Sequence, residues 1–199
     1  MFNGMVETIG KIENIQIQND CKHFIISSEK YLDDLKIDDS ISVNGVCLTV
    51  TNIQHHLFHV TAVPETLRLT NLNFLEIGQT VNLERSILLN ARINGHYTQG
   101  HVDGVGTILD IKNEGDAKLV KIGIPETLKK YIVKKGYVAL DGMSITVISV
   151  EKNWFTVTFI PHTQKVTIVK HYSVGTLINI EVDILGKYIE SLIGAYQPC

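Results

Sequence analysis

Two short segments carry the side chains best suited to chemistry, because each places a small nucleophilic group just after a glycine turn. The segment NGVCLTV contains Cys47 and Thr49, and the segment DGMSITV contains Ser144 and Thr146. Side chains alternate between the two faces of a β-strand, so each pair is expected to share one face of its strand. The thiol and the hydroxyl could act as nucleophiles or hydrogen-bonding groups. A cysteine in a strand is also commonly a small buried hydrophobic residue, and the pattern leaves both interpretations open.

A second candidate for chemistry is the segment GHYTQGHVDG, which places His96 and His101 between glycine turns. Histidine exchanges protons near neutral pH, and glycine lets the backbone approach a planar ligand closely. The segment therefore indicates proton transfer beside such a ligand. The alternative is a loop with two solvated histidines.

A third candidate is the pair PETLRLT and PHTQKVT, in which a proline, a polar residue and a threonine are expected to end a strand. Free backbone groups at a strand end could bind the edge of a flat heterocycle. A plain loop would have the same pattern.

An internal repeat explains why these segments come in pairs. Residues 44–84 align without a gap on residues 141–181 at an offset of 97, with 12 identities in 41 positions. Further upstream, GMVETIGKI matches GHVDGVGTI at an offset of 96, so one residue is inserted between the two matching blocks. Two copies of one module account for most of the chain.

Within each copy the pattern indicates β-structure, since short runs rich in Val, Ile and Thr are broken by NG and DG. Several such strands in a module of this size predict a small, closed or nearly closed antiparallel barrel. Short helical pieces fit SEKYLDDL and PETLKKYIV, at corresponding places in the two copies. We predict domains at 1–96 and 97–183, followed by a C-terminal helix and tail at 184–199.

The predicted C-terminal helix is amphipathic. It can bury its apolar stripe against a partner subunit or against its own barrel. The stripe consists of Ile184, Leu185, Tyr188, Ile189, Leu192 and Ile193.

Composition excludes several classes of protein. In 199 residues with 44% hydrophobic side chains and a net charge of −3, the 18 Lys and Arg residues lie among acidic ones, which disfavours nucleic acid and anionic membranes as partners. No apolar stretch approaches the roughly 20 residues of a membrane span, and the N-terminus does not resemble a signal peptide, so we expect a cytoplasmic protein. Cys21, Cys47 and Cys199 are widely spaced and indicate neither a disulfide framework nor a zinc site.

Read in order, several motifs resemble the riboflavin synthase family, and the resemblance runs from Met1 to about Lys187. The motifs are MFNGMVETIG, SISVNGVCLTVT, PETLRLTNL, VNLERS, GHYTQGHVDGVG, KYIVKKGYVALDGMSITV and FIPHTQ. The resemblance implies an all-β fold of two similar six-stranded antiparallel barrels with short helices and a C-terminal α-helix. It further implies a homotrimer whose active site lies between the N-barrel of one subunit and the C-barrel of its neighbour. Association with a lumazine synthase shell is left open.

The activity implied by the resemblance is that of a transferase. Two molecules of 6,7-dimethyl-8-ribityllumazine dismutate to riboflavin and 5-amino-6-(D-ribitylamino)uracil, the last step of riboflavin biosynthesis. Because the substrate ring is itself the electron sink, neither a metal nor an organic cofactor is expected. The protein would supply orientation and proton handling.

The resemblance also implies roles for individual residues. His101 is the candidate for proton transfer at the C7 methyl group, Ser144 and Asp141 form a polar pair beside the C-barrel lumazine, and Cys47 lies at the N-barrel pocket. Lys135 is expected to reach across the subunit interface. Substrate contacts are expected at Gly4, Met5, Val6, Cys47, Leu48, Thr49, Thr61, Ala62, Val63, Pro64, Glu65, Thr66, Gly100, His101, Val102, Lys135, Ser144, Ile145, Thr146, Ile160, Pro161, His162, Thr163, Gln164 and Lys165.

A non-catalytic lumazine- or flavin-binding antenna protein is the competing hypothesis, because fold alone does not separate a binder from an enzyme. By resemblance, such antenna proteins lose the paired pocket residues. Cys47, His101, Lys135, Asp141 and Ser144 are all present here, which favours the enzyme.

Overall fold

The strands of the computed structural model form two closed six-stranded antiparallel barrels. The structure describes residues 1–28 and 34–195. The N-barrel contains β1 (Thr8–Gln18), β2 (Cys21–Ser27), β3 (Ser40–Val43), β4 (Val46–Gln54), β5 (Leu57–Ala62) and β6 (Thr80–Arg85). The C-barrel contains β7 (Gly104–Glu114), β8 (Ala117–Gly123), β9 (Tyr137–Leu140), β10 (Met143–Val150), β11 (Trp154–Phe159) and β12 (Leu177–Val182). The predicted fold class is therefore confirmed.

Both barrels have the same strand order, and each is closed by pairing of its first strand with its last. In the N-barrel the order is β1-β2-β5-β4-β3-β6, and β6 pairs with β1. The C-barrel repeats it as β7-β8-β11-β10-β9-β12, and β12 pairs with β7. Each barrel buries its own apolar core, centred on aromatic rings such as Phe24 and Phe58 in the first and Phe155 and Phe159 in the second.

The residue inserted between the two copies lies in the connection between β8 and β9. The equivalent strands β2 and β8 still differ by 96 in their numbering, whereas β3 and β9 differ by 97. The predicted helix at PETLKKYIV is here only a 3-10 helix, Lys129–Tyr131. Most of the predicted helix at SEKYLDDL, residues 29–33, lies outside the described residues.

The segments PETLRLT and PHTQKVT differ from the expected strand ends. They form two short helices, α1 (Pro64–Leu69) and α2 (Pro161–Val166), which begin directly after β5 and β11. Each helix has its proline at the first position, where the fixed φ of proline suits the helix and its missing N–H leaves no backbone partner unsatisfied.

The two barrels meet at their NG and DG turns. Asn44 and Gly45 have φ values of 47° and 78°, and Asp141 and Gly142 have 43° and 82°, as type I′ hairpin turns require. A Cβ atom added to Gly45 would lie 2.6 Å from the backbone nitrogen of Gly142. The two turns therefore touch with backbone against backbone at their glycines.

Reciprocal hydrogen bonds from asparagine side chains hold this contact. Asn82 of the N-barrel donates to the carbonyl of Asp141 at 2.9 Å, and the equivalent Asn179 of the C-barrel donates to the carbonyl of Asn44 at 2.8 Å. All four residues are buried. Each barrel therefore provides a hydrogen-bond donor for the turn of the other.

The C-terminal helix α3 (Ile184–Ala195) leaves its apolar stripe uncovered. Leu185, Tyr188, Ile189, Leu192 and Ile193 are between 57% and 72% exposed. Polar contacts instead join α3 to the barrel, since Lys130 and Tyr131 both bond Glu190. The structure therefore does not show the stripe packed on its own barrel, which is one of the two alternatives predicted from the sequence. Across the described ranges, no helix is both long and apolar enough to cross a lipid bilayer.

Candidate functional site

Two chain segments outside the strands lie where the barrels meet. We call residues 1–6 the N-terminal arm and residues 97–102 the linker arm. The two arms pair as an antiparallel bridge, in which Phe2 donates its N–H to the carbonyl of Thr98 at 2.9 Å and Thr98 donates back at 3.1 Å. Phe2 and Thr98 are equivalent residues at the offset of 96. The bridge therefore joins the same point of both copies.

The linker arm immediately precedes the C-barrel in sequence, yet it lies against the N-barrel. Cys47 donates its backbone N–H to the carbonyl of Gly100 at 2.8 Å. A Cβ atom on Gly100 would lie only 2.7 Å from the Cβ of Cys47. The next apolar residue of this arm, Val102, packs against the N-barrel core.

The N-terminal arm makes the matching contact with the C-barrel. Ser144 donates its N–H to the carbonyl of Gly4 at 2.8 Å, and a Cβ atom on Gly4 would lie 2.6 Å from the Cβ of Ser144. Val6 packs against the C-barrel core. The arms are thus exchanged, and each candidate nucleophile lies beside an arm that precedes the other barrel.

The exchange divides the predicted site residues into two groups. Cys47 lies with Gly100 and the exposed His101 at the N-barrel, and Ser144 lies with Gly4 and the exposed Met5 at the C-barrel. Thr49 and Thr146 are exposed on the same strand faces as Cys47 and Ser144, as alternation predicts. The structure therefore contains two equivalent sites with different side chains.

His96 contacts the C-barrel site directly. Its Nδ1 atom lies 2.7 Å from Oγ of Ser144, and its ring stacks on Tyr137 with the ring centroids 5.2 Å apart. His96 is buried, and this burial lowers its pKa from the usual 6.5. A neutral imidazole at this position can accept the Ser144 proton. The sequence motif identified His96 as a candidate, but the residues assigned by resemblance did not include it.

Asp141 has different surroundings from those expected. Its carboxylate accepts hydrogen bonds from the Asn71 side chain at 2.9 Å, the Asn179 backbone at 2.8 Å and the Tyr172 hydroxyl at 2.6 Å. Burial raises its pKa from 3.8 to about 7. The carboxylate therefore accepts hydrogen bonds at the contact between the barrels, whereas Ser144 lies beyond the turn, on β10. A catalytic role for Asp141 stays a prediction.

A cleft of about 500 Å³ opens above this network, between the two barrels of the chain. Its walls include Phe74 and His171, which follow α1 and α2. All predicted substrate contacts lie in the described ranges, and none of them lines this cleft.

Other predicted contacts lie around the starts of α1 and α2. Val63 and Ile160 precede the two prolines at equivalent places and are 49% and 55% exposed, which suits them to contact a ligand ring. Leu48 and Ala62 are buried in the N-barrel core, so neither side chain is open to a ligand. Lys135 is exposed, and its reach to a neighbouring subunit stays a prediction. The remaining predicted contacts, Thr61, Pro64, Glu65, Thr66, Ile145, Pro161, His162, Thr163, Gln164 and Lys165, lie on β5, α1, β10 and α2.

Groups that could bind a metal ion are scarce in the described ranges. No three His, Cys, Asp or Glu side chains come together there as a metal site would require. Cys21 and Cys47 are free thiols. Independence from cofactors stays a prediction.

Comparisons with known proteins agree with this architecture. The model of the lumazine binding domain matches twice, at residues 3–86 and 99–183. Riboflavin synthase of Schizosaccharomyces pombe is 44% identical over 199 residues, covering 98% of this chain and 95% of that protein. Riboflavin synthase of Bacillus subtilis is 39% identical over 189 residues, covering 95% of this chain and 88% of that protein.

Solved structures with the same fold include two complexes of LumP. LumP with 6,7-dimethyl-8-(1'-D-ribityl) lumazine superposes with a TM-score of 0.83 at 26% identity, covering 92% of this chain and 99% of that one. LumP with riboflavin superposes with a TM-score of 0.87 at 24% identity, covering 92% and 100%. The two domain matches, and identities of 44% and 39% to riboflavin synthases over nearly the whole chain, show that this chain belongs to the riboflavin synthase family.

Proposed function

We propose that the protein is a transferase that converts two molecules of 6,7-dimethyl-8-ribityllumazine into riboflavin and 5-amino-6-(D-ribitylamino)uracil. The observation that carries this proposal is the presence of two equivalent sites with different chemistry. Cys47 and Gly100 form one site, and Ser144 and Gly4 form the other. A reaction between two copies of one substrate needs two pockets of one shape whose side chains differ.

The two sites can divide the chemistry between them. One lumazine loses a proton from its C7 methyl group, and its anion is delocalised over the ring. The other lumazine accepts a nucleophile at C7. Ser144 is suited to the nucleophilic role, because the neutral His96 lies 2.7 Å from its hydroxyl and can take the proton. His101 lies beside the other site and is the candidate for the methyl proton.

The active site is proposed to lie between subunits of a homotrimer, with the N-barrel of one subunit facing the C-barrel of the next. The uncovered stripe of α3 supports association, since five large apolar side chains face solvent in the single chain. Each trimeric site would hold two lumazine molecules, with Lys135 reaching across the interface. A cytoplasmic location, association with a lumazine synthase shell and functional units at 1–96, 97–183 and 184–199 belong to the same proposal.

The direct experiment gives the purified protein 6,7-dimethyl-8-ribityllumazine as the sole substrate, after exhaustive dialysis against a metal chelator and with no nucleotide added. We expect riboflavin fluorescence to increase at the rate of the undialysed protein. Binding without turnover would instead indicate the antenna protein. A loss of activity that added metal restores would contradict the cofactor-free mechanism.

Single substitutions test the division of roles. Cys47→Ser and Ser144→Ala should retain lumazine binding and lose turnover to different extents, since neither creates a large cavity. His101→Gln should lower kcat by about 10²-fold, the usual scale for general acid–base catalysis. Exchange of the C7 methyl protons with deuterated water, measured with and without protein, provides the reference for their intrinsic acidity. Full activity of His101→Gln at neutral pH would exclude it as the proton-transfer group.

A further inference from the structure

Each exchanged arm is held by a buried glutamate at the end of the last strand of a barrel. Glu181 of β12 accepts the backbone N–H of Gln99 at 2.7 Å with one oxygen and that of Gly100 at 3.0 Å with the other. Glu84 of β6 is its equivalent at the offset of 97 and accepts the N–H of Asn3 at 2.8 Å. Both glutamates are 4% exposed.

Each arm is therefore bonded on two sides, to a different barrel on each side. Gly100 donates its N–H to Glu181 of the C-barrel, and its carbonyl accepts from Cys47 of the N-barrel. In the N-terminal arm, Asn3 donates to Glu84 of the N-barrel, and the carbonyl of the next residue, Gly4, accepts from the C-barrel. The glutamates thus determine how far each arm reaches toward the opposite barrel.

Burial of these carboxylates is energetically unfavourable, and burial raises the pKa of both, that of Glu84 to about 7. The backbone amides of the arms oppose this shift. At Glu181 a carboxylate is suited to its position because both oxygens accept backbone N–H groups, whereas a carboxamide would direct an NH₂ group at one of them. Glu84 bonds Asn3 through one oxygen, and its other oxygen is buried without a hydrogen-bond partner among the described residues. Barrel closure uses the backbone pairing of β6 with β1 and of β12 with β7 and does not need the two side chains. Their hydrogen bonds serve the arms.

We propose that Glu84 and Glu181 are positioning residues, each of which arranges the site of the barrel to which it does not belong. Glu181 places Gly100 and His101 beside Cys47, and Glu84 places Gly4 and Met5 beside Ser144. That these sites bind lumazine rests on the proposed function, whereas the positioning itself does not.

Alkylation of thiols tests the positioning without any substrate. Cys47 reports on the N-barrel site, and a thiol introduced by Ser144→Cys reports on the C-barrel site. In this background Glu181→Gln should raise the iodoacetamide alkylation rate of Cys47 about tenfold, the scale of one lost charge-assisted hydrogen bond, and leave the thiol at position 144 unchanged. Glu84→Gln should do the reverse. Rates are read peptide by peptide from mass spectra.

Two controls separate local from general loosening. Cys21, the other described free thiol, lies on β2 and should react at one rate in all variants. Glu114→Gln, at the exposed end of β7, should change none of the thiols. If a glutamine variant does not fold, Glu181→Asp or Glu84→Asp keeps the charge, withdraws it by one methylene and should give the same selective pattern.

Turnover provides a second, independent result. Both glutamine variants should lower kcat by more than they raise KM, because the arms orient bound substrate. Equal acceleration at both thiols, or no acceleration at either, would overturn the positioning roles. The crossed alkylation pattern in a protein that forms no riboflavin would leave the positioning intact and refute only the proposed activity.

Discussion

The Nδ1 atom of His96 lies 2.7 Å from the Oγ atom of Ser144. Cys47 is the equivalent of Ser144 in the N-barrel, and no side chain in the described ranges hydrogen-bonds its thiol there. Equivalent positions in two barrels of the same strand order therefore differ in their hydrogen-bond partners. This difference makes the C-barrel the site at which a hydroxyl can be activated.

The pairing of His96 with Ser144 predicts the pH dependence of turnover. Burial lowers the His96 pKa, so kcat should fall on the acid side with an apparent pKa below 6.5 as the imidazole becomes protonated. His96→Gln should lower kcat by about 10²-fold and remove this acid limb. His56→Gln, at an exposed hairpin position, is the matched control. An unaltered pH profile in His96→Gln would show that another group is responsible.

Asp141 predicts how stability depends on pH. Burial raises its pKa from 3.8 to about 7 on folding. Its contribution to the unfolding free energy is therefore fully present below pH 4 and is lost as the pH rises through 7. In the wild-type chain this loss should lower the unfolding free energy by a few kcal/mol between pH 4 and 8, since one pKa unit corresponds to about 1.4 kcal/mol. Asp141→Asn should abolish that decrease. The variant should fold, because an amide can still accept from Asn71 and Asn179 and donate to Tyr172.

The pH dependence of Asp141→Asn is measured by urea unfolding at several pH values, with the wild-type chain beside it. A decrease of the same size in both proteins would assign the dependence to other carboxyls, such as Glu84.

The close approach of the linker arm predicts a specific effect of one added methyl group. Gly100→Ala and Gly78→Ala both place alanine at a positive φ, at 77° and 91°, so both should lower the melting temperature through backbone strain. Only the methyl at position 100 would meet other residues, Cys47 at 2.7 Å and Phe2 at 3.0 Å, whereas nothing lies within 4 Å at position 78. We expect turnover to fall in Gly100→Ala alone. Equal turnover in the two variants would show that the arm tolerates displacement.

The uncovered stripe of α3 predicts the state of assembly. Deletion of the residues after Asp183 should shift the solution mass from trimer toward monomer. Ile189→Asp with Leu192→Asp should do the same and leave the barrels folded, because both side chains face solvent in the single chain. Ile17→Asp, 72% exposed at the end of β1, is the control. Light scattering distinguishes the outcomes, and a trimer that survives both changes would place the interface elsewhere.

The sequence is a good guide to the barrels because their signals are local. NG and DG turns between strand patterns occur twice at one offset, and both form type I′ turns. The prediction that PETLRLT and PHTQKVT are strand ends is wrong, because these segments form the short helices α1 and α2. A proline at the first position of each was the signal for a helix start, but six residues are too few to show helical periodicity.

The arrangement of the site is less accessible to sequence because it depends on contacts between distant residues. Gly4 and Gly100 were predicted as contacts, but no local pattern shows that each belongs to the site of the opposite barrel. The burial of His96 depends on stacking with Tyr137, far along the chain. For Asp141, the carboxylate is shared among Asn71, Tyr172 and Asn179, which come from both barrels.

Duplication of a module normally leaves the two copies free to change independently. The exchanged arms restrict that freedom, because Gly4 must remain compatible with Ser144 and Gly100 with Cys47. A substitution at such a position in one half must therefore also fit the surface of the other half. The two halves are thus constrained together, and a barrel cut from the chain or transplanted into another protein would lose part of its own pocket.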